Sequence, residues 1–164
     1  MPRLFVAVTP PAEVLDRIAL LPRPAEPGVR WTARSQWHVT LRFLGEAEVE
    51  PAATALDVVD APPAVAEVGP VVSRLGRSVV CLPVAGLDGL AGAVREVTAS
   101  VGEPPDPRPF AGHITLARLR RRAACGVTGT RFSASFGVEE IALVRSTLTA
   151  DGPEYVVEAR RRLG

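Results

Sequence analysis

The chain contains only two histidines, and each opens the same four-residue pattern: His38-Val39-Thr40-Leu41 and His113-Ile114-Thr115-Leu116. Imidazole is the side chain whose ordinary pKa lies near neutrality, so of two such groups one can be neutral and the other protonated at the same pH. General acid–base chemistry needs that pairing. A single buried histidine on a strand is more often a hydrogen-bonded core residue than a catalyst. Two histidines in matched motifs reverse that expectation.

On a β-strand successive side chains alternate faces. His38 and Thr40 then project to one side while Val39 and Leu41 anchor the other in the core, and the second motif repeats the arrangement. Two such strands facing each other place two imidazoles and two hydroxyls in one groove. That set suits hydrolysis of a strained cyclic phosphodiester. A neutral imidazole takes a proton from water, an imidazolium gives one to the departing ribose oxygen, and hydroxyls hold the charged phosphoryl oxygens. The symmetry of the motifs leaves open which histidine is acid and which is base. No cofactor or metal is called for, and two imidazoles alone make a poor zinc site, which usually takes three or four protein ligands.

The elements that must position these residues also occur twice. Leu4–Val8 is a short apolar run that reads as a buried strand, and Pro11–Leu21 places Val14, Leu15, Ile18 and Leu21 on one helical face. A Pro- and Gly-rich loop leads to Val29-Arg30-Trp31, then to a strand from Trp37 to Leu44. Adding 75 to these numbers carries the first strand onto Val79–Pro83, the helix onto Gly86–Glu96 and His38 onto His113. A repeat of this kind predicts two lobes about a pseudo-twofold axis. Between them, Ala47–Val59 reads as a helix and Val65–Arg74 as a strand. Gly102–Pro109, with four prolines in eight residues, reads as a stiff loop delivering Phe110 and His113. Ile141–Val144 and Tyr155–Glu158 read as strands around the turn Asp151-Gly152-Pro153.

Composition narrows the class. A length of 164 residues with 47% hydrophobic content suits one domain with a real core. All nineteen basic residues are arginine, yet the net charge is only +1, which argues against a protein that coats duplex nucleic acid and leaves room for a small anionic pocket. Cys81 and Cys125 alone cannot build a disulfide framework or a Cys-rich zinc site. The N-terminal apolar run is too short for a signal peptide or a membrane span, so the expected location is the cytoplasm, with no membrane partner.

The motifs and their flanks resemble the two-histidine (2H) phosphoesterase superfamily, and within it the RNA 2',3'-cyclic phosphodiesterases also described as 2'-5' RNA ligase-like. The resemblance runs from Arg3-Leu4-Phe5-Val6-Ala7 through Val29-Arg30-Trp31 and His38-Val39-Thr40-Leu41-Arg42-Phe43-Leu44-Gly45. It continues through Pro109-Phe110 and His113-Ile114-Thr115-Leu116-Ala117-Arg118 to Leu143-Val144-Arg145-Ser146 and Tyr155. It implies an α+β, bilobal, pseudo-twofold duplicated fold with two antiparallel sheets flanked by helices around a central cleft. Residues 1–164 would form one domain, with lobes near 1–75 and 76–164 and the C-terminal strands crossing back. It further implies hydrolysis of RNA 2',3'-cyclic phosphate ends to a 2'-phosphate by a monomer, with His38 as proton donor and His113 as proton acceptor. The family commonly has proline before the second histidine; this chain has Gly112, which frees that segment.

Beyond the histidines and Thr40 and Thr115, the expected substrate-binding residues are Arg118, Arg42, Phe5 and Phe110. Arg42 shares the face of His38 on a regular strand, where a phosphate contact and a solvated strand end are equally fair readings. Arg118 has the wrong parity relative to His113 unless a bulge intervenes. Phe5 and Phe110, with Trp31 and Trp37, offer ring faces for a base, although Trp37 alternates against His38 and suits the core. The run Arg118, Arg120, Arg121, Arg122 suits either an RNA backbone or solvent. Two rival functions stand beside the leading one: a cyclic phosphodiesterase for a small nucleotide such as an ADP-ribose cyclic phosphate, and a non-catalytic module that binds RNA ends.

Overall fold

A computed structural model describes all residues, 1–164. The elements follow the order β1 (Arg3–Val8), α1 (Ala12–Ala19), β2 (Val29–Trp31), a 3-10 turn (Arg34–Gln36), β3 (Val39–Glu46) and α2 (Val49–Asp57). They continue with β4 (Ala64–Val68), β5 (Ser73–Leu75), β6 (Val79–Ala85), α3 (Asp88–Val97), β7 (His113–Leu119), β8 (Ala134–Val138), β9 (Glu140–Thr149) and β10 (Gly152–Arg162). The α+β class matches the expectation. None of the three helices is long and apolar enough to cross a membrane.

All strand pairs are antiparallel, and the path runs β10-β9-β1-β3-β7-β6-β4-β8, with β2 beside β7 and β5 beside β6. The strands form one continuous ten-stranded sheet, whose two halves join where β3 touches β7 through the single pair Val39↔Ile114. Those two residues are related by the same offset of 75 as the histidines, so the pseudo-axis passes between them. Both are fully buried. Each contributes roughly 1.5–3 kcal/mol of apolar burial at the seam.

The lobes interleave. β9 and β10 return from the C-terminus to pair beside β1, while β2, β4 and β5 from the first half join the sheet of β6 and β7. A cut between residues 75 and 76 therefore does not separate two bodies in space. The helices are exchanged as well, with α3 packed on β3 and α1 on β8. One contiguous apolar core results, including Leu4, Val14, Ile18, Leu44, Leu56, Leu82, Leu87, Val94 and Ile141.

Two local departures from the expected plan have backbone causes. The expected strand Val65–Arg74 is split into β4 and β5, because Gly69 sits at φ 107° against the Phe132 carbonyl and Pro70 follows it. The offset between the repeats is also not uniform. Ala7 lies opposite Thr40 and Cys81 opposite Thr115, so the two opening strands are related by 74, whereas the histidine strands are related by 75.

Candidate active site

His38 ends the segment that follows the 3-10 turn, and His113 opens β7 after the Pro-rich loop. Each ring is anchored in the same way. The Nδ1–H of His38 donates to the Gln36 carbonyl at 2.7 Å, and that of His113 donates to the Ala111 carbonyl at 2.7 Å. A carbonyl can only accept, so both neutral rings carry their proton on Nδ1 and leave Nε2 free to take or give one. His38 Nε2 lies 2.9 Å from the Thr40 hydroxyl.

Since Val39 faces Ile114 across antiparallel strands, His38 and Thr40 emerge from the same face as His113 and Thr115. All four line one groove of about 400 Å³, together with Phe5, Phe43, Arg118 and Tyr155. Thr32 ties the wall behind His38 to the second motif. Its hydroxyl lies 2.8 and 2.9 Å from the carbonyls of Thr115 and Leu116, its N–H donates to Leu116, and it accepts from the Trp37 indole at 3.0 Å.

A β-bulge in each motif sets the facing of the residues beyond the threonines. On β3, Val6 pairs with Arg42 and Ala7 with Thr40, leaving Leu41 unpaired. On β7, Val80 pairs with Ala117 and Cys81 with Thr115, leaving Leu116 unpaired. The extra residue reverses the alternation. Arg118 therefore reaches the groove despite its parity, and it is exposed there.

The same inversion turns Arg42, expected on the face of His38, away from the acid–base groove. Arg42 turns into the protein, only 6% exposed. Its guanidinium donates to the carbonyls of Phe43 (2.6 Å), Thr98 (3.3 Å), Val101 (3.4 Å) and Glu103 (2.7 Å) and to the Thr98 hydroxyl (3.3 Å). Three of these carbonyls, those of Thr98, Val101 and Glu103, lie where α3 ends and the Pro-rich loop begins. Arg42 is a cross-lobe clamp.

Phe43 takes the groove-facing place instead. It is 42% exposed, with the Arg3 guanidinium 5.3 Å from its ring centre. Its partner under the offset of 75 is Arg118, so one wall presents an aromatic face where the other presents a cation. Among the other aromatics, Phe5 stacks beneath His38 at 4.8 Å, and Tyr155 meets both rings edge-on at 5.1 and 5.2 Å. Trp37 is core. Trp31 is half-buried in the groove wall and donates to the Pro24 carbonyl. Phe110 is half-buried beside an adjoining cavity rather than in the groove.

The electrostatics of the two rings differ. Burial lowers the pKa of His38 below its ordinary value; its bond to Gln36 opposes this, and the nearby His113 and Arg118 charges add to the lowering. Burial pushes the Tyr155 phenol up. Of the arginine run, Arg118 alone lines the groove. Arg160 pairs with Glu140, and Arg161 donates to the Val59 carbonyl. Both cysteines are free and buried, and no three His, Cys, Asp or Glu side chains gather as a metal-binding group.

Gly112, just before His113, has a structural reason. A Cβ there would run into the Val84 carbonyl, which lies against this turn of chain, while the Gly112 carbonyl accepts from the Val84 N–H at 2.8 Å.

The profile of the family described as LigT like Phosphoesterase matches residues 8–80. No curated protein matches the chain. Among solved structures, E. coli LigT in apo form is 30% identical over 99% of this chain and 97% of its own, with a TM-score of 0.74. The E. coli LigT complex with 3'-AMP is 29% identical over 99% and 98%, with a TM-score of 0.79. TT0787 of Thermus thermophilus is 30% identical over 96% of each chain, with a TM-score of 0.75. The chain is a member of the LigT-like phosphoesterases, within the 2H phosphoesterase superfamily. Its chemistry is accordingly of the phosphodiesterase type.

Proposed function

We propose that this protein hydrolyses RNA 2',3'-cyclic phosphate ends to 2'-phosphates by metal-independent two-histidine catalysis. The observation that carries this reading is the matched anchoring of the rings. Both Nδ1 atoms are committed to carbonyls, so proton transfer at the shared groove falls to the two Nε2 atoms, that of His38 lying 2.9 Å from the Thr40 hydroxyl. A nucleotide at the same fold's groove is consistent with the 3'-AMP held by E. coli LigT.

In this mechanism water attacks phosphorus in line with O3'. His113 Nε2 takes the water proton, the P–O3' bond breaks, and His38 Nε2–H protonates O3', leaving phosphate on O2'. Thr40, Thr115 and Arg118 hold the non-bridging oxygens as charge builds on them. The donor role asks His38 to carry a proton that its free environment disfavours. The bound phosphate anion supplies the missing countercharge, so substrate binding itself charges the acid.

The site residues are conventional acid–base and hydrogen-bonding groups, and the donor set holds no third metal ligand. A cytoplasmic monomer acting on RNA ends fits this chemistry. Purified protein with chelator should convert a cyclic-ended oligonucleotide to the 2'-phosphate product. Loss of turnover with chelator would refute the metal-free mechanism, and tight binding without turnover would favour a binding module. A strong preference for a small cyclic nucleotide would favour the ADP-ribose-type substrate.

A further inference from the structure

A second cavity, of about 1010 Å³, opens beside the groove and shares Thr40, Phe43 and His113 with it, but not His38. Its other walls are the turn between β5 and β6, the outer face of α3 and the Pro-rich loop. The groove itself is on the scale of a single small ligand. One nucleoside cyclic phosphate would occupy it and leave the larger space empty.

The charges around that space are unequally engaged. Arg108 is tied to Asp106 at 2.6 Å, and Arg42 points inward to main-chain carbonyls. Arg77, on the β5–β6 turn, and Arg95, on α3, are exposed, and their guanidiniums make no hydrogen bond or ion pair with the protein. Two carboxylates in the lining make no ion pair, Asp88 near the start of α3 and Glu103 on the Pro-rich loop. Two free guanidiniums in the lining of a cavity that Phe43 and Phe110 also line match one nucleotide: a base against the aromatic rings and a phosphodiester toward the cations.

Resting on the phosphodiesterase reading above, we propose that this cavity seats the nucleotide preceding the cyclic end of a single-stranded RNA, with its phosphodiester held by Arg77 and Arg95. The protein then selects polynucleotide ends over free cyclic nucleotides by contacts outside the acid–base groove.

The test is the ratio of kcat/KM for a cyclic-ended oligonucleotide to that for a nucleoside 2',3'-cyclic phosphate. In R77Q/R95Q the ratio falls about tenfold and loses most of its salt dependence; in R77K/R95K, which keeps the charges, most of it returns. An unchanged ratio in R77Q/R95Q, or an equal loss on both substrates, overturns the proposal. Absence of turnover on both substrates by the wild-type protein would instead defeat the phosphodiesterase reading on which it rests.

Discussion

Val39 and Ile114 face each other across the only pair that joins β3 to β7. Their side chains are buried at the pseudo-axis, so the residues flanking them, His38 and Thr40 on one strand and His113 and Thr115 on the other, are driven to the opposite face. The repeat creates the groove by making two identical alternations meet.

His38 is the pH-sensitive member of this arrangement. Its folded-state pKa lies below its unfolded value, so the unfolded chain binds more protons in the window between them. Stability contributed by neutral His38 is present above the unfolded value near 6.5 and is lost as pH falls through the folded value. Denaturant midpoints of wild type and H38Q should therefore diverge below that pH, the wild type losing more. Parallel acid limbs would contradict the assignment.

Inorganic phosphate should raise the pKa of His38, because an anion beside the ring stabilises the imidazolium. By linkage, phosphate binds more tightly as pH falls from neutrality through the His38 titration. NMR titration of the ring with and without phosphate measures both effects; an unmoved pKa would place phosphate elsewhere.

Arg42 and Arg118 should behave in opposite ways. Replacing Arg42 by Met removes donors to four carbonyls, three of them around the end of α3, and costs about 2 kcal/mol of stability or more. R42K is nearly as damaging, since an ammonium cannot reproduce the fork. R118A leaves stability unaffected and lowers kcat/KM by about 10- to 100-fold through lost charge stabilisation. Urea midpoints alongside steady-state kinetics separate the two, and a stable R42M with a raised KM would restore the substrate-contact reading.

Gly112→Ala should destabilise by about 1–3 kcal/mol, because the new methyl meets the Val84 carbonyl and must displace β6 or the segment leading to His113. Thermal denaturation checks this, and a neutral substitution would show that the segment yields freely.

The histidine pair was legible because its motif occurs twice at one offset and because strand alternation dictates which neighbours share a face. The face of Arg42 was misread, and that of Phe43 went unremarked, for the opposite reason: the bulge at Leu41 inverts the alternation, and no residue type in Leu41-Arg42 announces it. The equivalent bulge at Leu116 rescues Arg118, whose parity is wrong on a regular strand. Relating Phe43 to Arg118 by the offset of 75 would have flagged it as groove-facing. The carbonyls of Gln36 and Ala111 were invisible because main-chain partners leave no trace in residue identity. The exchange of β2, β4, β5, β9 and β10 between lobes was only partly legible, since strand pairing depends on partners far away in the chain. β8 carries a weak signal, its alternation Ala134-Ser135-Phe136-Gly137-Val138 being interrupted by glycine.

The most direct test is kcat on a cyclic-ended oligonucleotide for H38A, H113A and the double variant. If the two Nε2 atoms act as one proton-relay pair, each single variant loses about 10²- to 10⁴-fold and the double variant loses little more than the worse of them. A folded single variant that retains wild-type turnover would contradict the account.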